Sequence, residues 1–131
     1  MRRSQTAKPA KLTLIEVGRW TLIPRAGLES LLASGTIDVD SARLLNSLAD
    51  LIHELGQLRP ALQLDCKDIA ELTRHLRDGQ AIEEANIKAA IDWLDKASSV
   101  LRATKRDEYR IALARLIEQA ELRALIEASR A

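Results

Sequence analysis

A stripe of leucine and isoleucine residues within residues 38–55 constrains the fold of this chain more than any other feature. Its members recur at the spacing of one helix face: Leu44, Leu45, Leu48, Leu51, Ile52 and Leu55. At about 100° per residue they cover an arc of roughly 120°, the width of a face that packs against a core. Asp38 or Asp40 offers a capping oxygen at the start, and Gly56 and Pro60 end the pattern. This segment is predicted to be an amphipathic helix.

The composition extends the helical prediction to the whole chain. Among 131 residues there are 22 Leu and 20 Ala, but only three Val and no Phe. Leucine and alanine favour helix, whereas valine and aromatic residues favour strand. The length suits one domain of ordinary size. We therefore predict an all-α, single-domain bundle of four to five helices over residues 11–131, preceded by a flexible basic N-terminal arm of residues 1–10.

The region before the leucine stripe is ambiguous. Residues 11–23 begin with strand-like alternation that stops after Leu14, so a short helix and an extended segment both remain open. Pro24 is expected to end this segment, and a brief leucine-rich helix should follow it up to Gly35.

Two further helices are predicted after the stripe. Asp65 is placed to cap a third helix, which ends near Gly79. A fourth helix should run from about Ala81 to Ala103, and its apolar positions cover more than half of its circumference. Such a helix is contacted on several sides, so we expect it and the leucine stripe to form the centre of the bundle.

The last part of the chain is predicted to form a fifth helix starting near Lys105. Thr104 and Asp107 have the spacing of a capping box. The alternative is one helix from Ala81 to Ser129, because neither glycine nor proline interrupts this stretch.

The fifth helix carries two apolar faces. The face expected to meet the core consists of Tyr109, Leu113, Leu116, Ile117, Ala120 and Ala124. Outside it lie Ile111, Leu122, Leu125 and Ile126, which one bundle face cannot bury as well. We predict that these four residues contact a protein partner, and a homo-oligomer is the simplest version. The alternative is that the N-terminal segment folds back over them.

Charge is distributed unevenly although the net charge is only +1. Residues 1–25 carry six basic and one acidic side chain, a net charge of +5, whereas the remaining 106 residues carry 14 basic and 18 acidic ones, a net charge of −4. Two basic clusters are candidates for contact with nucleic-acid phosphates: Arg2, Arg3, Lys8 and Lys11 in the arm, and Arg102, Lys105 and Arg106 between the fourth and fifth helices. The alternative for the arm is a solvated tail.

Catalytic chemistry finds little support in the sequence. The glycines lack the spacing of a phosphate-binding loop, and the single cysteine, Cys66, excludes an intrachain disulfide. With one cysteine and no His-Glu-x-x-His sequence, the common zinc motifs are missing too. His53 lies close to an acid at helical spacing but falls on the polar side of its helix, so no bundle-core metal site is expected. We predict no catalytic, cofactor-binding or metal-binding residue and no small-molecule substrate.

A helix-turn-helix motif is also not favoured. Residues 67–72 and 87–94 have its apolar pattern, but the glycine comes nine residues after Ala70. The second segment is preceded by Glu83 and Glu84, where contacts to phosphates or bases need basic or amide side chains.

Residues 31–55 resemble a stretch found in small uncharacterised bacterial proteins, some of them associated with phages or mobile elements. The resemblance rests on Gly35, on Ile37 and Asp38, and on Ala42 ahead of the leucine-rich helix. It implies no activity and no site residues.

These observations predict a non-enzymatic helical protein–protein interaction module: an adaptor, a regulator or an assembly subunit. The alternative is a nucleic-acid-associated protein that contacts backbone phosphates through its basic arm. A single thiol suits a reducing compartment, and no apolar run approaches the about 18 residues that a membrane span needs. A cytoplasmic location is therefore expected.

Overall fold

Five α-helices account for most of the chain in a computed structural model that describes residues 14–130, and the side chains of residues 21–129. The helices are α1 (Leu14–Ser34), α2 (Val39–Leu58), α3 (Lys67–Asp78), α4 (Glu84–Ala103) and α5 (Arg106–Arg130), with a short 3₁₀ turn at Pro60–Leu62. No strand occurs within the described residues. The all-α prediction is confirmed, and the chain forms two helices rather than one after residue 81. Residues 1–10, the predicted arm, lie outside the described residues.

Helix α1 corrects the prediction for the N-terminal region. Residues 14–23 are helical, and the helix continues through Pro24 to Ser34 instead of ending at the proline. A proline inside a helix lacks the N–H that bonds to the preceding turn, and its ring crowds the carbonyl of residue i−4, at a combined cost of about 3 kcal/mol. Pro24 is fully buried, so the packing of its ring offsets part of this cost. The helix ends at Gly35, which has a φ of +80° and donates its N–H to the carbonyl of Leu31 over 2.8 Å.

Helix α2 begins where its sequence predicts and ends between the two predicted breakers, Gly56 and Pro60. A carboxylate oxygen of Asp38 accepts the backbone N–H of Ser41 over 2.9 Å, which caps the first turn. The hydrogen bonds from Ser41 also lower the pKa of Asp38 below its ordinary value. The helix passes Gly56 and ends at Leu58, shortly before Pro60.

Helices α3 and α4 are joined by a glycine-terminated turn. Asp65 accepts the backbone N–H of Lys67 over 2.9 Å, so its side chain does support the start of α3. Gly79, with a φ of +69°, ends the helix in the left-handed conformation. Helix α4 then starts at Glu84, three residues later than predicted.

The core lies between α1, α2, α3 and α4. Helix α2 contacts every other helix, whereas α4 contacts α1, α2 and α3. Both helices are central, as predicted. The largest buried side chains come mainly from α2: Leu45, Leu48, Leu51, Ile52 and Leu55, joined by Leu28, Ile69, Leu72 and Leu94. Helix α5 packs mainly against α2, on the outside of this four-helix arrangement.

Candidate protein-interaction face

Helix α5 is fixed to α2 along its first half. Tyr109, Ala112 and Leu113 are buried, and every described side chain after them is partly or fully exposed. Polar contacts reinforce this packing, because Arg59 donates to a carboxylate oxygen of Glu108 over 3.1 Å. This ion pair joins the end of α2 to the start of α5, so the two helices run antiparallel.

The start of α5 uses a different acid from the predicted one. Glu108, not Asp107, accepts the backbone N–H of Lys105 over 3.1 Å, which is one half of a capping box. The hydroxyl of Thr104 donates instead to the carbonyl of Val100, in the last turn of α4. The box is shifted by one residue because α4 continues to Ala103 and engages the threonine side chain. The hydrogen bond from Lys105 and the nearby Arg59 lower the pKa of Glu108.

The second half of α5 departs from the prediction for its inner side. Every residue from 118 to 129 is exposed, including Ala120 and Ala124, which were expected in the core. Leu116 and Ile117 are only partly buried. The reason is that a groove lies between α2 and residues 113–124 of α5, so α2 does not bury Ala120 and Ala124 although they point in nearly the same direction as Leu113.

Six exposed residues form what we call the outer face of α5: Ile111, Arg115, Glu118, Leu122, Leu125 and Ile126. At about 100° per residue they occupy an arc of roughly 100° that is centred opposite Leu113. Its four apolar side chains are exposed to 49% at Ile111, 58% at Leu122, 69% at Leu125 and 45% at Ile126. The structure thus places all four predicted interface residues on one side of the helix, away from the core.

A groove of about 450 Å³ lies between the middle of α2 and residues 113–124 of α5. Asn46, Ser47 and Asp50 form the α2 wall, and Leu116 and Ile117 are among the apolar residues on the α5 wall. Surrounding protein atoms partly desolvate the carboxyl of Asp50 and raise its pKa. The positive charge of Arg123, also in the groove, acts in the opposite direction.

Glu54 is a buried acid on α2 at its contact with α5. It was not identified in the sequence analysis. It is only 9% exposed and lies within reach of two α5 side chains. Gln119 donates to one carboxylate oxygen over 3.5 Å, and a guanidinium nitrogen of Arg115 lies 3.8 Å from the other. No local signal marks Glu54, because its partners are more than 60 residues away in sequence.

The two predicted basic clusters have different outcomes. Arg102, Lys105 and Arg106 are all exposed and lie together at the junction of α4 and α5. The structure therefore brings the second cluster to one corner of the bundle. The first cluster, Arg2, Arg3, Lys8 and Lys11, lies outside the described residues.

The two histidines and the cysteine lie on α2 and at the two ends of α3. His53 is exposed on α2, and His75 is partly buried in the last turn of α3. Cys66 is partly buried at the start of α3, where its thiol lies 3.4 Å from the carbonyl oxygen of Leu64. Burial raises the pKa of this thiol. Within the described residues, no group of three or more His, Cys, Asp or Glu side chains is arranged to hold a metal ion.

Comparisons with protein-family models, with curated proteins and with solved structures find no match to this chain. Between residues 14 and 130, no helix combines the length and the apolar character needed to cross a bilayer.

Proposed function

We propose that this chain is a non-enzymatic helical interaction module, an adaptor, regulator or assembly subunit, that binds protein through the outer face of α5. The observation that carries the proposal is the group of four large apolar side chains, exposed by 45% to 69%, opposite the core side of the helix. Burial of apolar surface stabilises a complex by about 25 cal/mol per Å². A partner surface is what would remove this face from water.

The spacing on this face also supports the proposal. Leu122, Leu125 and Ile126 stand at positions i, i+3 and i+4, and Ile111 lies three turns earlier on the same side. Amphipathic helices present anchors with this spacing when they dock against another helix or into a hydrophobic groove. The anchors belong to a helix whose first half packs against the bundle through the buried Tyr109, Ala112 and Leu113.

The proposal gives no catalytic role to the two groups with raised pKa values. In both Asp50 and Cys66, burial is the largest cause of the shift, and the structure explains it by packing. The proposed location is the cytoplasm, because the only cysteine in the sequence is a thiol suited to a reducing compartment. An origin in a bacterium, phage or mobile element is proposed on the resemblance of residues 31–55 alone.

The test compares Leu122→Asp and Ile126→Asp with Leu22→Asp. Leu22, on α1, is a matched control because it is 70% exposed and lies outside the proposed face. Light scattering behind a sizing column measures self-assembly of the purified chain. Affinity capture from cells of the source organism measures other partners. We expect the α5 variants to lose the assembly and remain helical by circular dichroism, while Leu22→Asp keeps it.

The proposed function is contradicted if an assembly survives both α5 substitutions, or if the wild-type chain forms neither a self-assembly nor a specific complex. Loss of the assembly in Leu22→Asp as well would move the interface away from α5.

A second candidate function rests on the corner formed by Arg102, Lys105 and Arg106. Three exposed cations at one place can contact backbone phosphates without reading sequence. The ratio of absorbance at 260 and 280 nm across the same elution peak tests this. Nucleic acid that co-elutes at low salt and leaves at high salt would support it.

Two variants locate such binding. Replacing Arg102, Lys105 and Arg106 with glutamate should abolish it if this corner is responsible. Deleting residues 1–11 should weaken it and reduce its salt dependence if the arm carries the contacts. A protein peak free of nucleic acid at low salt would exclude this candidate.

A further inference from the structure

We infer that the partner of the outer face is a second copy of this chain, paired with the first through an antiparallel contact between the two α5 helices. The inference rests on the proposed function, since it names the occupant of the same face.

The evidence is a symmetric spacing of residues. Ile111, Arg115, Glu118 and Leu122 are separated by four, three and four residues, a pattern that reads the same in both directions. All four are exposed, and at about 100° per residue they fall within an arc of roughly 60°. A twofold axis through the midpoint of this pattern, between Leu116 and Ile117, therefore relates it to itself in an antiparallel pair.

This arrangement matches both charge and apolar character. Arg115 would face Glu118 of the second copy, and Glu118 would face Arg115 of the second copy, so two ion pairs form at the centre. On each side, Ile111 would face Leu122 of the other chain. Leu125 and Ile126 lie one turn beyond Leu122, level with Glu108 and Asp107 of the second copy, so they contact Ile111 of that copy only diagonally. A parallel pair in register would oppose like charges at both central positions, so the charges select the antiparallel orientation.

Arg115 has donors available for this contact. Its nearest carboxylate oxygen, on Glu54, is 3.8 Å away, and the side chain is 47% exposed. A guanidinium has five N–H donors, so the contact with Glu54 leaves others free to reach Glu118 of the second copy. Glu118 is itself exposed.

The size of the contact predicts a reversible dimer. The four central residues extend over about 16 Å of helix, and the whole of α5 over about 37 Å. One helix pair of this length lies at the small end of specific interfaces, which usually bury about 800 Å² on each partner. We therefore expect the fraction of dimer to depend on protein concentration.

Exchange of the two charges tests the pairing. In the full-length chain, Arg115→Glu leaves two acids at the centre of each face, and Glu118→Arg leaves two bases. Each variant alone should dimerise at least about tenfold more weakly, because like charges then oppose each other. An equimolar mixture of the two should restore dimers, since the acidic face of one complements the basic face of the other. Sedimentation velocity measures the species, and circular dichroism confirms that each variant remains helical.

The mixture is the decisive experiment, because it contains the same two variants that dimerise weakly when each is alone. An effect on the fold of either chain, such as the loss of the Arg115–Glu54 contact, would not be repaired by mixing. Restoration that weakens as salt is added would confirm that the ion pairs are responsible.

Each other outcome has a distinct meaning. If Leu122→Asp dissociates the wild-type dimer but the mixture stays monomeric, the outer face is an interface and the proposed function stands, whereas the antiparallel pairing is overturned. If a dimer survives Leu122→Asp, both are overturned.

A wild-type chain that is monomeric at every concentration overturns the self-pairing alone, and the capture experiment then decides the proposed function. A monomer that dimerises only after residues 1–13 are deleted would identify the N-terminal segment as the occupant instead.

Discussion

Helices α2 and α5 are similar in sequence character but differ in burial. Both are long, at 20 and 25 residues, and about half of the residues in each are hydrophobic. Helix α2 buries eight residues, whereas between residues 106 and 129 of α5 only Tyr109, Ala112 and Leu113 are buried. The difference follows from their neighbours, because α2 contacts all four other helices and α5 packs mainly against α2. Apolar content therefore determines that a helix needs partners, and its place in the bundle determines whether the chain itself supplies them.

The largest expected effect comes from a leucine truncation in each helix. Leu51 on α2 is fully buried, and Leu51→Ala should lower the free energy of unfolding by about 2–5 kcal/mol through lost packing and a residual cavity. Leu125 on α5 is 69% exposed. Leu125→Ala should therefore change the free energy of unfolding of the monomer by only about 0.5 kcal/mol. Urea unfolding at a concentration where the chain is monomeric measures both. An equal loss of unfolding free energy in both variants would contradict the difference in burial between the two helices.

An intermediate effect is expected where α2 meets α1. A Cβ atom on Gly27 would lie 2.6 Å from the Cβ of Ser41 and 2.8 Å from its hydroxyl oxygen, closer than packed atoms approach. Alanine is the better helix former by about 1 kcal/mol, but overpacking at a close helix contact costs about 1–3 kcal/mol. Gly27→Ala should therefore destabilise the protein.

The rescue is the Gly27→Ala/Ser41→Gly double variant, in which the opposing side chain is removed. Gly27→Ala should lower the free energy of unfolding less when it is added to Ser41→Gly than when it is added to the wild-type chain. A loss of the same size in both backgrounds would show that the spacing of α1 and α2 is not the cause.

The smallest effect concerns the side of α2 that faces α5. Partial desolvation raises the pKa of Asp50, so the folded state disfavours its charged form. Asp50→Asn removes that charge and should raise the free energy of unfolding at neutral pH. The gain should shrink as the pH falls through the raised pKa, because the wild-type carboxyl is then neutral too.

Urea unfolding at neutral pH and in the acid range measures this effect, and Asp40→Asn provides the control. Asp40 lies in the first turn of α2, where a negative charge favours the helix, so its neutralisation should not stabilise the protein. If Asp50→Asn raises the free energy of unfolding by the same amount at every pH, the groove does not desolvate this carboxyl.

Local signals allowed much of the fold to be predicted. The cap at Asp38 and the glycine ends at Gly35 and Gly79 lie where the sequence indicates, because each depends on residues within one or two turns. The break before α5 was also predicted, although Glu108 rather than Asp107 completes it. The acid is displaced because Thr104 bonds back into α4, which the capping pattern alone does not reveal.

The predictions for the candidate site on α5 were also partly right and partly wrong. The periodicity of Ile111, Leu122, Leu125 and Ile126 was sufficient to place them off the core side, and they are indeed exposed. Periodicity also placed Ala120 and Ala124 in the core, which is wrong. A helical period gives the direction of a side chain around its axis, but not the presence of a neighbour in that direction.

The sequence by itself therefore determined helices α2 to α5, the cap at Asp38, the glycine ends at Gly35 and Gly79, and the directions of the apolar faces, because these depend on backbone propensity and on contacts between residues a few positions apart. The tertiary structure decided that α1 continues through Pro24, that Glu54 is buried, and that the outer face of α5 is left open. Each of these depends on residues far apart in the chain, whose packing against one another no local pattern specifies.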